Sequence, residues 1–495
     1  MNEGVKEKLD GHRERLREVY VKLPMKDIYF NSRSQMTFKF MDPEGELKTN
    51  YIDPMTSSVI VSSVVPGSCV LYRGGHGGGK TTMIEEASTR LFDIPKKDII
   101  EAMIRGNDDQ NVNTLLAYYN IGKLLAKGEE EVKWRKFVTC PIKIIDEVNR
   151  FPSRALNGLF EIINKGRVEF ADAIYECDRY EIFATENPKD VGTYPMSKPF
   201  LDRFGLCIPS PQLPSVEDLM ALSKRRDDKI YKTDGPKNPL TMDQAKEMEG
   251  LVADNIHISN DGLMYAMYLG QALQTCERAD FSDKAHSDLS LDQRCKDCGF
   301  NTDESLCRMT EDGFSGRGFL ELQRWAKGYS FFLNAFEDAE NPEVQQGVIQ
   351  ALVPYVLYHR TTPNNALFTK APNWGQRLKY LGKLAAKASE AYATIKEPLA
   401  EIPRILRGDL DPDRALIKDV DKDIVVQQHF FPIVMASKDK MFRKLYEGIE
   451  SREHISEQDL IDLCKTLSFE TELSPRAQTF LREKAKAKLE RAEYI

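Results

Sequence analysis

Between residues 52 and 213, short apolar runs alternate with stretches whose apolar residues recur at helical spacing, the pattern of a parallel sheet with crossover helices. Strands are predicted near Val70, Met103, Ile144, Phe183 and Cys207. Upstream, residues 2–23 predict a charged helix. The alternation around Phe38 and Phe40, closed by Asp42-Pro43-Glu44-Gly45, predicts a hairpin. Inside the sheet region, 157–164 is expected to be helical and Lys165-Gly166-Arg167-Val168-Glu169-Phe170 to start a second hairpin. Beyond Pro214 the periodicity is helical, with helices expected from Val216, over 315–335 and over 352–359. Leu378, Leu381, Leu384 and Ala385 predict another, with Pro398 and Pro403 as breakers. A charged helix over 478–494 ends the chain, and Ser474-Pro475 supplies a cap and a first turn.

Composition bounds the picture. A chain of 495 residues divides into two to four domains, each able to bury a core, and 41% hydrophobic with 29% charged residues is a soluble balance. The net charge of −8 gives no overall attraction for nucleic acid. No run of about 18 apolar residues and no cationic leader with an apolar stretch occurs, so neither a membrane span nor secretion is expected, and the cytoplasm follows.

Candidate chemistry starts where an apolar run enters Gly74-Gly75-His76-Gly77-Gly78-Gly79-Lys80-Thr81-Thr82, which satisfies the phosphate-loop pattern GxxxxGK[ST]. Glycines let successive backbone N–H groups face phosphate oxygens, Lys80 adds a point charge, and the Thr81 hydroxyl suits Mg²⁺. Nucleoside triphosphate, with ATP as the expected species, is the ligand this implies. A second strand, Pro141-Ile142-Lys143-Ile144-Ile145, ends in Asp146-Glu147. Asp146 is the candidate Mg²⁺ carboxylate and Glu147 the residue that polarises the attacking water. A third, Tyr180-Glu181-Ile182-Phe183-Ala184-Thr185-Glu186, ends in Asn187-Pro188. An amide can donate to a γ-phosphate and accept from water together, so Asn187 is the candidate water-orienting group; the alternative is a turn start.

These residues resemble the MoxR branch of the AAA+ ATPases, over about 54–360. Asp146-Glu147-Val148-Asn149-Arg150-Phe151-Pro152 is similar to that branch's DEINRAP segment. Gly192-Thr193-Tyr194-Pro195 and Leu201-Asp202-Arg203-Phe204 are similar to its GTYP and LDRF pair, Gly316-Arg317 to its second sensor, and Val356-Leu357-Tyr358-His359-Arg360 to its lid-closing run. The phosphate loop departs from the family's usual valine-proline-glycine wording by His76 and an extra glycine. The resemblance implies a P-loop core with a five-stranded parallel sheet (52–213) and an all-α lid (214–362). Extra, cysteine-rich residues over about 275–314 depart from the family pattern and stretch the spacing that assigns Arg317, while the preceding helix and hairpin (1–51) and the helical extension (363–495) are read from the periodicity and lie outside the resemblance. The resemblance also implies a homo-oligomeric, hexameric ring that hydrolyses Mg·ATP to remodel or mature partner proteins, often ones with a von Willebrand factor A domain. In such rings Arg203 reaches a neighbour's nucleotide, while Arg317 acts from the lid and the second hairpin lies where it can face the channel. A nucleic-acid motor, for which Lys165 and Arg167 are suited, and the motor subunit of a metal chelatase remain as alternatives.

Nine cysteines in so long a chain do not make a disulfide scaffold. Cys69, Cys140 and Cys207 fall in apolar runs and read as core. Cys276, Cys295, Cys298 and Cys307 have the spacing Cx18CxxCx8C, which four thiolates around structural Zn²⁺ would explain. His286 is a substitute ligand. An iron–sulfur cluster and incidental thiols are the other readings. The insertion lacks apolar residues to fold by burial, and zinc-finger peptides gain about 10–16 kcal/mol from metal.

Overall fold

The computed structural model describes residues 3–23, 35–42, 45–109, 115–188, 190, 192–210, 216–223, 239–274, 276, 305–336, 343–369, 376–420, 423–452, 454–469 and 473–488. Two compact units result: 1–266 with 314–362 and 368–385, and 267–313 with 363–367 and 386–495.

The strands of the first unit are β1 (Met36–Met41), β2 (Leu47–Ile52), β3 (Cys69–Arg73), β4 (Met103–Arg105), β5 (Ala117–Tyr119), β6 (Val132–Trp134), β7 (Ile142–Asp146), β8 (Arg167–Phe170), β9 (Ala173–Glu176), β10 (Glu181–Glu186) and β11 (Leu206–Pro209). Five of them form one sheet in the order β11-β3-β10-β7-β4, and every pairing in it is parallel. All five strands expected from the apolar runs are present. Their side chains are buried on both faces, which is why the runs are continuous rather than alternating. Leu71, Ile145, Ala184 and Cys207 pack with Leu156, Leu159 and Ile162 of the helix Ser153–Lys165 in one apolar cluster.

Lys143 is the exception in this core. Its amine is buried in β7 and donates to the carbonyls of Val138, at 2.9 Å, and Cys140, which close the short helix Lys136–Thr139. Burial pulls it below the usual lysine range, against the opposing pull of the Cys177 and Cys140 thiols. Cations at helix C-termini satisfy carbonyls that the helix leaves over.

The first hairpin, β1 with β2, stacks Phe38 on Tyr329 of the helix Gly316–Leu333 at 5.3 Å between centroids. β8 and β9 form the expected second hairpin, and Lys165 ends the helix before it. A further hairpin, β5 with β6, has no counterpart in the sequence expectations, because its strands have three residues each and their alternation is too short to register. A seven-residue helix, Ile121–Lys127, lies between them.

Helices make up the second unit's described core, with Phe442, Tyr446, Leu467, Ala477 and Leu481 in one cluster. Ser474 caps the helix Pro475–Ala487 by accepting from the Ala477 N–H, as expected, although that helix starts at Pro475 and the residues after 488 lie outside the description. Pro398 and Pro403 do not break the chain: the helix Arg377–Leu406 runs through both. A proline there costs about 3 kcal/mol. Tyr392, Ile395, Leu399 and Leu406 stay buried at helical spacing on either side, and each such side chain contributes about 1.5–3 kcal/mol, so packing outweighs the lost backbone bonds.

Cys276 and Cys307 are half-buried thiols of this unit, whereas Cys295, Cys298 and His286 lie outside the described residues. Among the described residues no helix is long and apolar enough to cross a membrane.

Candidate nucleotide site

The three central strands β3, β10 and β7 end side by side, and each end carries one of the candidate segments. The loop 74–79 leaves β3 and turns into the helix Lys80–Leu91. Gly77 and Gly79 take φ of 71° and 66°, which side chains with a Cβ resist. A Cβ on Gly74 would meet Ser210 at 2.8 Å, so the loop passes against the end of β11 only as glycine. Gly75 and Gly78 complete the loop, and Thr82 sits half-buried on the helix's first turn. Its N-terminal N–H groups and dipole favour an anion at this spot. Lys80 is 9% exposed and donates to its own loop, to the carbonyls of Gly74 at 3.1 Å and Gly75 at 2.7 Å. Burial lowers its pKa, while Asp146 and Glu147 oppose that shift.

The Thr81 hydroxyl donates to Asp146 Oδ1 at 3.0 Å, joining the phosphate loop to the end of β7. Thr185 on β10 donates to the same oxygen at 2.6 Å and accepts from the Glu147 N–H at 2.9 Å. Arg105 Nε lies 3.7 Å from Asp146 Oδ2. Glu147 has φ 53° and ψ 51°, a left-handed conformation rare outside glycine. Strain of this kind costs about 1–3 kcal/mol and persists only where neighbours hold it. Here the Thr185 hydroxyl holds its N–H, and Arg150 holds its side chain at 3.0 Å.

Asn187 is buried at the end of β10, its carbonyl accepting from Asn149 Nδ2 at 2.9 Å. Its Nδ2 contacts His76 Nε2. His76 Nε2 is also 3.5 Å from Asp190 Oδ2, and Nδ1 is 3.8 Å from Glu147 Oε1. Arg150 hydrogen-bonds Asp190, and that bond holds the carboxyl below the usual aspartate range. His76, Glu147 and Asp190 lie close enough to hold a metal ion, but Arg150 already answers both carboxylates.

The two arginines stand apart from this cluster. Arg203 donates to the Pro199 carbonyl and lies over the Phe160 ring at 3.3 Å. Burial lowers its pKa, and the charge of Arg317 adds to that. Arg317 reaches Asn164 Oδ1 at 3.3 Å and approaches Asp202 Oδ2 at 3.9 Å. Asp202 also accepts from Ser315 and from Arg360 Nε, and Arg360 donates onward to the carbonyls of Asp202, Phe204 and Gly205. That bolts the 201–204 turn to the end of the helix Gln346–Leu357.

The structure therefore brings together the loop, Asp146, Glu147 and Asn187, and it pairs Arg203 with Arg317 elsewhere. Thr185, Asp190 and Arg105 went unassigned in the sequence. Thr185 stands two positions before Asn187, and its role depends on register: Ala184 pairs with Ile145, which sets Thr185 beside Asp146.

Residues 70–204 match the AAA domain (dynein-related subfamily). The stretch opens on β3 and closes just past Arg203, so it takes in all three strand ends. The chain thus carries an AAA domain, built on a five-stranded parallel sheet and followed by a helical C-terminal region. No curated protein matches the sequence. Among solved structures, a protein named "putative ATPase" from Cytophaga hutchinsonii is similar at a TM-score of 0.54 and 19% identity, over 77% of this chain and 97% of that one. At that identity the likeness concerns the fold alone.

Proposed function

We propose that this protein is a MoxR-like ATPase that hydrolyses Mg·ATP in a ring and uses the cycle to remodel a partner protein. The observation that carries the ATPase reading is the joining of phosphate loop and β7 through Thr81, Asp146 and Thr185. Two hard oxygen donors 3.0 Å apart at the loop's edge fit Mg²⁺. Thr81 and Asp146 would hold it, directly or through water, and the ion would neutralise charge on the outer phosphates.

In this reading Lys80 leaves the carbonyls of Gly74 and Gly75 for the β- and γ-phosphates. Glu147 accepts a proton from the attacking water, and Asn187 donates to the γ-phosphate. Arg203 and Arg317, adjacent and away from their own phosphate loop, suit delivery to a neighbour's site. A guanidinium stays charged there and matches phosphate oxygens with a planar fork.

A protein client fits better than nucleic acid. The two basic residues at the base of the second hairpin are answered locally, Lys165 by Glu161 at 3.5 Å and Arg167 by Glu169. With the net charge at −8, little positive field is left to attract phosphate backbones. A von Willebrand factor A protein is the expected client class.

The test uses Glu147→Gln. Turnover measured by phosphate release should fall about 10²- to 10⁴-fold while ATP binding persists. Parent protein that releases no phosphate from Mg·ATP would end the proposal. Co-purification with the Glu147→Gln protein should enrich a protein client, and enrichment of nucleic acid instead would favour the motor reading.

A further inference from the structure

We infer that Arg105 competes with Mg²⁺ for Asp146: its guanidinium balances the carboxylate charge that the metal also needs, so it sets how much metal the site demands. This rests on the ATPase reading above and adds a residue to it.

Strand register fixes Arg105 beside that carboxylate. It ends β4, at the sheet's edge, and is paired with Asp146 of β7. Residues paired across adjacent strands put their side chains on one face of a sheet. The next residue pins the backbone there: the Gly106 N–H donates to the Asp146 carbonyl at 2.8 Å, and a Cβ on Gly106 would meet the Glu147 carbonyl oxygen at 2.2 Å. The chain is thus held against the end of β7 while the Arg105 side chain stays 74% exposed.

The two oxygens of Asp146 are used differently. Oδ1 accepts from the hydroxyls of Thr81 at 3.0 Å and Thr185 at 2.6 Å, neutral donors that leave the negative charge in place. Arg105 Nε faces Oδ2 at 3.7 Å, an ion pair longer than a hydrogen bond. Exposed pairs of this kind are weak and screened by salt, so the guanidinium is displaced without breaking a contact of the fold. A second carboxylate lies within its influence. Burial raises the Glu85 carboxyl on the helix Lys80–Leu91, Lys96 and Arg105 oppose that rise, and Asp146 adds to it. A dication held by Thr81 and Asp146 and a guanidinium beside the same carboxylate repel each other, so each weakens the other's hold.

The experiment uses Mn²⁺ as the probe. Its binding to ADP-loaded parent, Arg105→Gln and Arg105→Lys is followed by the free-ion electron paramagnetic resonance signal, and ADP affinity is measured separately in EDTA. The side chain is exposed, so neither substitution opens the core. Arg105→Gln should bind Mn²⁺ about 2- to 5-fold more tightly at low salt, the span of an exposed ion pair, and the gain should shrink as salt is added. Arg105→Lys, which keeps the charge, should stay near parent, and ADP affinity in EDTA should stay within about twofold of parent in both. Unchanged or weaker Mn²⁺ binding by Arg105→Gln overturns the inference while leaving the ATPase reading standing. So does an equal gain in Arg105→Lys, or a loss of ADP affinity in EDTA, which would make Arg105 a phosphate contact. A parent that binds no ADP and turns over no ATP removes both.

Discussion

At the scale of single residues, Thr185 links more of the site than its place in the sequence suggests. Its one hydroxyl donates to Asp146 and accepts from the backbone of a strained Glu147. Valine has nearly the same shape and neither capacity. Thr185→Val is therefore expected to lower turnover roughly tenfold, the worth of about one charge-assisted hydrogen bond. The protein should stay folded by circular dichroism, and turnover equal to parent would remove Thr185 from the machinery. Gly74 shows the opposite case: the contact it permits, with Ser210, is one a sequence reader would never search for.

Among elements, the start of β10 meets two helices through charge. Glu181 pairs with Arg179 at 2.6 Å and hydrogen-bonds Ser62 of the helix Pro54–Ser62. Glu249 of the helix Met242–Asn255 lies 2.9 Å from Arg179 Nε, without hydrogen-bond alignment. Burial pushes the Glu249 carboxyl from the ordinary 4.5 up to about 7, which Arg179 only partly offsets. A carboxyl raised in the folded state contributes stability that is complete below about pH 4.5 and is lost as pH rises through about 7. The size is about 3 kcal/mol. Denaturation of parent and Glu249→Gln at pH 5 and pH 7.5 should show this as a pH-dependent difference between them. Parallel stability curves would show that Glu249 ionises freely in the fold.

For the whole molecule, the proposed ring has Arg203, which lies beside Arg317 at the far end of β11 from the phosphate loop, serving a neighbour's site. That yields a complementation test. Arg203→Ala alone should lose about 10³- to 10⁵-fold in turnover, by analogy with arginine fingers in GTPases. Mixed with Glu147→Gln protein, it should regain activity, because Glu147 from one variant and Arg203 from the other complete a single site. A mixture no more active than its components would place Arg203 outside the catalytic site.

The phosphate loop, Asp146, Glu147 and Asn187 were legible along the chain, as were the five central strands. Each depends on short-range pattern: glycines at fixed spacing, or an apolar run ending in a polar group. The β5–β6 hairpin and the continuous helix through Pro398 and Pro403 were not, since one is too short to show a period and the other is decided by packing against local preference. The chain by itself determined the types of residue gathered at the candidate site and the strands that present them. Only the tertiary structure decided that Thr185 and His76 join those residues, because strand register and loop path, not sequence distance, set which side chains meet.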